Sequence, residues 1–598
     1  MGVLDKINSP TDIKNLDEKE LKELAREIRG QIIETTQKNG GHLSSNLGVV
    51  ETTLALYYTF DFPTDKIIFD VGHQCYAHKI LSGRKNKFSS IRSKGGLSGF
   101  PNKDESEYDL FTLGHAGTSM AMSLGLCTAR DKSGQNYSVI NLVGDGSFVN
   151  GLNLEALSLS NKKPLNYIVI LNDNGMSISK NKNGFYQFVS KGTTKRSYLG
   201  SKRFLQKIFG NSFITRGLSA FRNFVKRIIN KNNYFENHGF KYVGVVDGND
   251  IKELVKIMAR VKEVAKNKAV LVHVKTTKGK GFDRAEERSD VYHGVGENLV
   301  SESGTFSVAL GNKLNKVIEK DKSVMAITAG MKDGTGLISV EKENPLNFTD
   351  VGIAEEYAVT LASGMATGGL KPFVCVYSTF MQRAYDQIVH DVCLQNLPVI
   401  FCLDRAGLVG KDGKTHQGTF DLSYLLHVPN LSVFAPNTVD ELDDIIDYAL
   451  TLNSPVAVRY PKNATSEENF LSVSTSPFKK IKDGNKVTLL AVGPQMLNLA
   501  RSCLLDGVGL YSVRQLKPLD KAVLEEIKGT TVITLEENNV IGGFGSLISL
   551  YYREKGYSTN VRCLGIDDRF VAHGTIDDQL KDNGLGKENL LNLIKKYL

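Results

Sequence analysis

The sequence has 598 residues, of which 41% are hydrophobic and 23% are charged, and its formal net charge is +9. This length is too great for one hydrophobic core and predicts three or four domains, while the composition is ordinary for a globular enzyme. Seven cysteines are scattered along the chain without a CxxC pair, so the sequence supports neither a disulfide framework nor a zinc site.

The N-terminal stretch "MGVLDKINSPTDIKNLDEKE" has no apolar signal core and is too acidic for a transit peptide. Lys6 occupies the position where a myristoylation motif requires Ser or Thr. The longest apolar runs, such as "YIVIL", are far shorter than the ~20 residues that a membrane helix needs. We therefore predict a cytoplasmic protein without a membrane partner.

Short β-branched runs alternate with helix-length amphipathic stretches along the chain, which predicts an α/β fold of mostly parallel sheets flanked by helices. Breaks near residues 291–304 and 461–477 divide the chain into three α/β domains, at 1–300, 301–465 and 466–598. The predicted strands, in chain order, are "YSVINLV", "NYIVIL", "AVLVHVKT", "SVMAIT", "PFVCVY", "PVIFCL", "SVFAP", "PVAVRY", "VTLLAV", "VGLYSV", "TVITLEE" and "VRCLGI".

The positive charge is concentrated in one stretch. Residues 187–235 contain eleven Lys or Arg and no Asp or Glu, so the rest of the chain is close to neutral. The stretch has helical apolar spacing and no nucleic-acid-binding motif. We predict a basic insertion that covers the entrance of an active site and attracts a phosphorylated substrate. Contact with an anionic surface is the alternative, and specific nucleic-acid binding is the least favoured.

Two small polar clusters follow two of the predicted strands. Gly144-Asp145-Gly146 ends one strand, and Asn172-Asp173-Asn174 ends the next. Ligands of an open parallel sheet bind beyond the carboxyl ends of its strands, where glycines let the backbone approach an anion closely. Oxygens of Asp145 and Asn174 could together hold a Mg²⁺ ion that phosphate oxygens also coordinate. Each cluster alone is more typical of an ordinary turn.

Joined, the clusters have the form and spacing of the thiamine-diphosphate-binding motif. Further blocks resemble the 1-deoxy-D-xylulose-5-phosphate synthase family in order and over nearly the whole chain: "GGHLSSNLGVVE", "DVGHQCYAHKILSGR", "SEYDLFTLGHAGTS", "TTKGKGF", "VGIAEEYAVTLASGMA", "YSTFMQRAYDQIVHDV", "DRAGLVGKDGKTHQGTFDLSYL" and "VRYP". The resemblance implies a homodimer with the transketolase-like thiamine-diphosphate-binding fold. In such a fold the first domain binds the diphosphate and the second binds the aminopyrimidine of the cofactor.

The resemblance also implies a role for Glu355, which matches the glutamate that hydrogen-bonds the pyrimidine ring. Desolvation of a carboxylate on an apolar helix start helps to keep the group protonated. Glu356 is the alternative, as an ordinary acid at a helix N-terminus. The alignment of "IAE" favours Glu355.

Other site residues follow from the resemblance by position. The cofactor would be contacted by His73, Gly114, His115, Ala116, Gly146, Ser147, Asn174, Phe282 and Phe380. The Mg²⁺ ion would be held by Asp145, Asn174 and the carbonyl of Met176. Proton transfer would fall to His42 and His416, with His293 as a further candidate. The substrates would contact Tyr377, Arg383, Arg405, Asp412 and Arg459. Of these, Arg405 and Arg459 can bind a phosphate through their guanidinium groups.

The implied reaction is the decarboxylation of pyruvate with thiamine diphosphate and Mg²⁺ as cofactors. The two-carbon unit is joined to D-glyceraldehyde 3-phosphate, which gives 1-deoxy-D-xylulose 5-phosphate, a precursor of isoprenoids, thiamine and pyridoxal. The chain departs from the usual family pattern at a few positions, where we expect the fit of the cofactor to change: Gly117, Ser147, Phe148, Gly175 and Phe282.

Two other functions compete with this interpretation. Transketolase shares the cofactor and layout but takes its two-carbon unit from a ketose, and the "GGHLSSNLG" and "GKDGKTHQG" blocks favour the synthase instead. A catalytically silent paralogue would act as a binding or regulatory protein. The presence of Glu355, Asp145, Asn174 and the histidines argues against that.

Overall fold

The computed structural model describes residues 2–159, 163–175, 234–299, 304–465 and 471–598. Met176 and nearly all of the basic stretch 187–235 lie outside these residues, so the predicted metal ligand and the predicted cover stay predictions. The chain divides into two compact units, one formed by residues 1–89 and 99–300 and the other by 90–98 and 301–598. The predicted domain boundaries at 300 and 465 also stay predictions.

The described part of the first unit contains one parallel sheet in the order β1-β2-β3-β5-β4. Its strands are β1 (Lys66–Phe69), β2 (Val139–Gly144), β3 (Tyr167–Asp173), β4 (Lys241–Asp247) and β5 (Val270–Lys275). All of β3, and all of β2 except its last residue, are buried, as expected for strands covered on both faces. The α-helices among the described residues of this unit are Val3–Lys6, Glu18–Asn39, Leu43–Gly48, Val50–Thr59, Tyr76–Lys79, Ser119–Lys132, Asp145–Phe148, Gly151–Ser158, Tyr234–Asn237, Ile251–Ala265 and Asp283–Glu287.

The second unit contains two sheets within its described residues. The larger has the order β15-β10-β11-β9-β8-β6-β7 and is parallel except for β15, which runs antiparallel to β10. Its strands are β6 (Val324–Thr328), β7 (Phe348–Asp350), β8 (Lys371–Tyr377), β9 (Ile400–Asp404), β10 (Ser432–Phe434), β11 (Val456–Arg459) and β15 (Gln515–Lys517).

The smaller sheet of the second unit has the order β12-β14-β13-β16-β17, in which only β12 is antiparallel to its neighbour. Its strands are β12 (Phe478–Lys482), β13 (Val487–Val492), β14 (Val508–Val513), β16 (Thr531–Asn539) and β17 (Val561–Ile566). The α-helices in the described part of the second unit are Thr305–Lys320, Ile338–Glu343, Glu355–Thr367, Ser378–Met381, Tyr385–Gln387, Asp421–Leu425, Val439–Ala449, Pro494–Arg501, Lys521–Ile527, Phe544–Glu554, Ile576–Asp582 and Lys587–Tyr597.

The predicted strands correspond to β2, β3, β5, β6, β8–β11, β13, β14, β16 and β17, so the predicted α/β fold with mostly parallel sheets is confirmed. The sequence pattern missed β1, β4, β7, β12 and β15. These strands are short, or carry exposed polar residues such as Lys480 of "FKKIK", because all five lie at a sheet edge with less apolar cover. Among the helices that the structure describes, none is long and apolar enough to cross a membrane.

The carboxyl ends of the strands position the predicted site residues. In the first unit, Asp145 follows β2 and Asn174 follows β3. In the second unit, β8 ends at Tyr377, Arg405 follows β9, and β11 ends at Arg459. Ligand sites in open parallel sheets form at this edge.

Candidate active site

The two polar clusters of the first unit lie on neighbouring strands. Gly144 of β2 is in register with Asn172 of β3, so the residues that follow both strands meet at one edge of the sheet. Asp145 is buried in the short helix that starts there, and its Oδ2 atom has no hydrogen-bond partner among the described residues. Burial and the negative charge of Asp173 raise the pKa of Asp145, while Lys278 opposes the shift. A buried carboxylate with an unused oxygen is suited to a cation.

Asn172 and Asp173, at the end of β3, form hydrogen bonds with other residues of the first unit. Asp173 Oδ2 lies 2.9 Å from His273 Nε2, and its Oδ1 accepts a 3.0 Å hydrogen bond from the amide of Gly175. Thr276 donates a 2.6 Å hydrogen bond to Asn172 Oδ1. These contacts fix the strand end from which Asn174, the predicted metal and cofactor ligand, follows. The described residues contain no group of three or more His, Cys, Asp or Glu that could hold a metal by themselves. An ion at Asp145 would therefore need further oxygens.

Asp70, which the sequence analysis missed, organises the predicted cofactor loop at Gly114, His115 and Ala116. Its carboxylate accepts hydrogen bonds from the amides of Gly117 (2.9 Å) and Ser119 (3.1 Å). The hydroxyl of Ser147 also donates to Asp70, so this predicted cofactor contact faces a structural carboxylate. Gly114 and Ala116 are buried and His115 is half-buried.

Glycine at position 117 has a local reason. Its φ is +85°, and a Cβ atom there would lie 2.1 Å from Asn150 Oδ1. A larger residue would therefore be strained and would clash.

Three of the predicted histidines meet in the first unit. The ring centroids of His42 and His73 lie 5.6 Å apart, those of His42 and His293 lie 5.8 Å apart, and those of His73 and His293 lie 5.5 Å apart. Reciprocal backbone hydrogen bonds between Gly41 and Val295, at 2.8 and 2.9 Å, bring the two chain segments together. Burial and the positive charge of Lys278 hold the pKa of His293 well below its usual value. A neutral imidazole is able to accept or pass a proton.

Asn46 and Ser45 support this histidine cluster, and the sequence analysis missed both. The buried amide of Asn46 donates 2.6 Å hydrogen bonds to the carbonyl oxygens of His42 and His73. Its oxygen accepts a 2.9 Å hydrogen bond from the amide of Tyr76. Ser45 Oγ lies 2.9 Å from His293 Nδ1. The sequence signal that could have identified Ser45 and Asn46 was their position in "HLSSN", shortly after the predicted site residue His42.

Lys278 is a further residue that the sequence analysis did not select. It is buried, and burial lowers its pKa to about 8, while Asp145 and Asp290 act in the opposite direction. Its charge acts on both Asp145 and His293. Nearby along the chain, the ring of the predicted cofactor contact Phe282 packs edge-on against Tyr292, with centroids 5.9 Å apart.

In the second unit, Glu355 is the first residue of the helix Glu355–Thr367 and is buried. Burial raises its pKa to about 7, although the Arg383 guanidinium, 3.5 Å away, opposes the shift. The neighbouring Glu356 is only half-buried. Glu355 is therefore suited to carry a proton near neutral pH.

A chain of contacts joins four predicted residues of the second unit. The Arg405 guanidinium lies 4.7 Å from the centroid of the Tyr377 ring. Tyr377 stacks on Phe380 with centroids 6.0 Å apart, and Phe380 meets His416 edge-on at 5.5 Å. Burial lowers the pKa of His416, and Arg92 acts in the same direction, while Asp412 opposes the shift.

The remaining predicted substrate residues are ion-paired. Arg459 Nε donates a 2.8 Å hydrogen bond to Asp421, and its Nη2 has no hydrogen-bond partner among the described residues. This nitrogen is therefore available to an anionic ligand. Asp412 pairs with Arg92, which lies in the segment 90–98 that belongs to the second unit.

Three family models match consecutive parts of the chain. The model described as 1-deoxy-D-xylulose-5-phosphate synthase matches residues 4–276. The pyrimidine binding domain of transketolase matches residues 303–467, and the C-terminal domain of transketolase matches 478–590. With the parallel sheets and the strand-end clusters described above, these matches define a thiamine-diphosphate-dependent transferase of the transketolase type.

Curated relatives match along the full length. The chain is 43% identical to a 1-deoxy-D-xylulose-5-phosphate synthase of Clostridium tetani, with all of both chains covered. It is 42% identical to one from Carboxydothermus hydrogenoformans, over 100% of this chain and 99% of the relative. The chain belongs to the 1-deoxy-D-xylulose-5-phosphate synthase family. A solved transketolase from Campylobacter jejuni is 19% identical over 96% of this chain and 99% of its own, at a TM-score of 0.43, which is too low to bear on function.

Proposed function

We propose that this chain converts pyruvate and D-glyceraldehyde 3-phosphate into 1-deoxy-D-xylulose 5-phosphate and CO₂. The observation that carries the proposal is the buried carboxyl of Glu355, whose pKa is raised to about 7 at a helix start. Family membership over the full chain supports the same reaction.

Thiamine diphosphate, when bound, would supply a nucleophilic carbon and take up the electrons that decarboxylation releases. The buried Asp145 with its unused oxygen fits a Mg²⁺ ion that neutralises the diphosphate, and Asn174 would be the second described ligand. Coordination of the ion by the carbonyl oxygen of Met176 stays a prediction.

The chain's own groups would position substrates and move protons. Glu355 would hold a proton at the cofactor pyrimidine, and Phe380 would contact that ring. The cluster of His42, His73 and His293 would exchange protons with the reacting groups, since its rings lie within 6 Å of one another and at least one of them is held neutral. In the second unit, His416 would be a further proton-transfer group.

Arginines would bind the anionic parts of the substrates. Arg405 is held by hydrogen bonds to the carbonyl oxygen of Gly334 (2.7 Å) and to Ser307 Oγ (2.8 Å), so its guanidinium is oriented before a ligand arrives. Arg459 Nη2, which has no hydrogen-bond partner in the part of the chain that the structure describes, would bind a phosphate oxygen. We also propose a homodimer, as the family resemblance implies, and a cytoplasmic location, as the N-terminal sequence and the short apolar runs predict.

The test is incubation of the purified chain with pyruvate labelled at carbon 1 and D-glyceraldehyde 3-phosphate, with and without thiamine diphosphate and Mg²⁺. We expect labelled CO₂ and a five-carbon deoxysugar phosphate only when every component is present. Two-carbon transfer from a ketose phosphate without CO₂ would instead identify a transketolase. Absence of turnover despite cofactor binding would identify a silent paralogue.

A further inference from the structure

The loop between Gly407 and Gly418 carries two residues of the proposed site, Asp412 and His416. Its two ends pair through reciprocal backbone hydrogen bonds of 2.7 and 2.8 Å between the terminal glycines, so the loop is closed at its base. Gln417 Oε1 accepts a 2.7 Å hydrogen bond from the amide of Val409 just inside this base. These contacts fix the base, but they leave the tip of the loop to be held from outside.

One buried side chain from the C-terminal part of the chain holds the loop at Gly410, in addition to the contacts that Arg92 makes with Asp412 and Thr379 makes with Thr415. Gln579 of the helix Ile576–Asp582 accepts a 3.0 Å hydrogen bond from the amide of Gly410 and donates a 2.9 Å bond to the carbonyl oxygen of the same residue. Its amide also donates a 2.8 Å bond to the carbonyl oxygen of Ala572. The side chain thus pairs with both polar groups of one residue, as a neighbouring strand would do.

The surrounding backbone leaves the loop little room to move. Gly410 and Gly413 have positive φ angles of 80° and 69°, and a Cβ atom on Gly413 would lie 2.9 to 3.2 Å from His573. The loop therefore packs directly against the backbone that precedes the helix of Gln579. Glu537 of β16 contributes a weaker contact, since its Oε1 accepts a 3.4 Å hydrogen bond from the amide of Leu408.

We propose that Gln579 is a positioning residue that fixes the loop 407–418, and with it Asp412 and His416, for binding and reaction of the phosphorylated acceptor. This inference rests on the proposed function. It gives the C-terminal part of the chain a direct effect on the acceptor step. Gln579 acts on the site through the loop, because its side-chain polar atoms bond Gly410 of the loop and Ala572 outside it.

The test compares the full-length parent with Gln579→Leu, which keeps the size of the side chain and removes its hydrogen bonds. We expect KM for D-glyceraldehyde 3-phosphate to rise at least about fivefold and kcat/KM for this acceptor to fall about tenfold or more, because small displacements of reacting groups are costly. The Kd of thiamine diphosphate in the presence of Mg²⁺ should stay within about twofold of the parent, because no predicted cofactor contact lies on this loop.

Gln515→Leu is the matched control, because Gln515 is also buried in the second unit and bonds the carbonyl oxygen of Pro518 rather than the loop. A purely structural role would lower kcat through loss of folded enzyme without changing KM for the acceptor, and that result would overturn the inference. If Gln579→Leu does not fold, Gln579→Glu removes the two donated bonds and keeps the acceptor, and the same rise in KM is expected. A parent without turnover would refute the proposed function itself, whatever the variants do.

Discussion

Glu355 and Glu356 are adjacent acids at the start of one helix, but their surroundings differ. Glu355 is buried beside Arg383 with its pKa raised to about 7, whereas Glu356 is half-buried. Replacing Glu355 by Gln removes the acidic carboxyl proton and preserves the shape of the side chain. We expect Glu355→Gln to lower turnover at least about 100-fold, because a positioned proton-transfer group is lost.

The measurement is turnover together with the Kd of thiamine diphosphate, which should change little because the proposed metal and diphosphate residues lie in the first unit. Glu356→Gln is the control and should keep nearly full activity. Equal losses in both variants, or normal turnover of a folded Glu355→Gln protein, would contradict the assignment.

A second prediction for a single residue concerns the oxygen of Asp145 that has no hydrogen-bond partner among the described residues. Asp145→Asn replaces a carboxylate by a neutral amide and removes the charge that would face the ion. We expect the Kd of thiamine diphosphate at limiting Mg²⁺ to rise at least about tenfold, as is typical even for loss of an indirect metal partner. Titrations of the cofactor at several Mg²⁺ concentrations measure this effect.

Asp65→Asn serves as the control for Asp145→Asn. Asp65 is a buried aspartate too, but it accepts a 2.7 Å hydrogen bond from the amide of Ser138, away from the proposed metal site. Titration curves of Asp145→Asn that match those of the parent would place the metal elsewhere.

Individual site residues could be predicted where a local sequence motif marks their position. They could not be predicted where their role depends on contacts with residues distant in the sequence. Asp145 and Asn174 follow from strand ends and spacing. Asn46, Asp70, Lys278 and Gln579 act through partners that lie far along the chain or through burial, and neither is visible in a local pattern. Gln579, for example, meets Gly410 across 169 positions of sequence. Which histidines form a cluster also required the structure, because the pairing of residues 41 and 295 is long-range.

At the scale of elements, the buried central strands were predictable, whereas every strand that the sequence pattern missed lies at a sheet edge. Runs such as "YIVIL" are apolar throughout because both faces of a central parallel strand are covered. Edge strands such as β7 and β12 face solvent on one side, so their sequences resemble loops.

Strand β16 contains a buried acid whose effect on stability should depend on pH. Burial raises the pKa of Glu537 to about 7, although Arg459 and the amide of Leu408 lower it and Asp421 acts with burial. The folded state therefore favours the protonated form. The associated stability is fully present below pH ~4.5, the usual glutamate value, and is lost as the pH rises through about 7.

Glu537→Gln mimics the protonated carboxyl and can still accept a hydrogen bond from Leu408. We expect the variant to be more stable than the parent at pH 8, by up to about 3 kcal/mol, and equally stable near pH 4.5. Thermal unfolding midpoints at both pH values check this, with the exposed Glu588→Gln as control. An equal difference at both pH values would show that the effect does not come from ionisation.

At the scale of the whole molecule, the proposed homodimer needs an apolar surface. Tyr357, on the helix Glu355–Thr367, is 58% exposed, and Leu394, which directly follows the segment Ile388–Cys393 that packs on this helix, is 67% exposed. Large exposed apolar side chains on elements that pack together are typical of an interface. We expect the parent to sediment at twice its chain mass of 65.8 kDa.

The double variant Tyr357→Glu and Leu394→Glu should shift the protein toward the mass of one chain, because charges would be buried in the interface. Leu346→Glu, at a side chain that is 91% exposed, is the control and should remain dimeric. A parent at the single-chain mass at micromolar concentration would refute the dimer. An unchanged double variant would place the interface elsewhere.

Strand β15 has a consequence for how the chain folds as it is made. It completes the large sheet of the second unit by pairing with β10, although the other strands of that sheet all precede residue 460. A ribosome releases the chain from its N-terminus, so the backbone edge of β10 stays unpaired until residue 517 has emerged. An open strand edge is a site for mispairing with other nascent chains. We therefore expect translation pauses between residues 460 and 517 to lower the yield of folded protein more than pauses after residue 517.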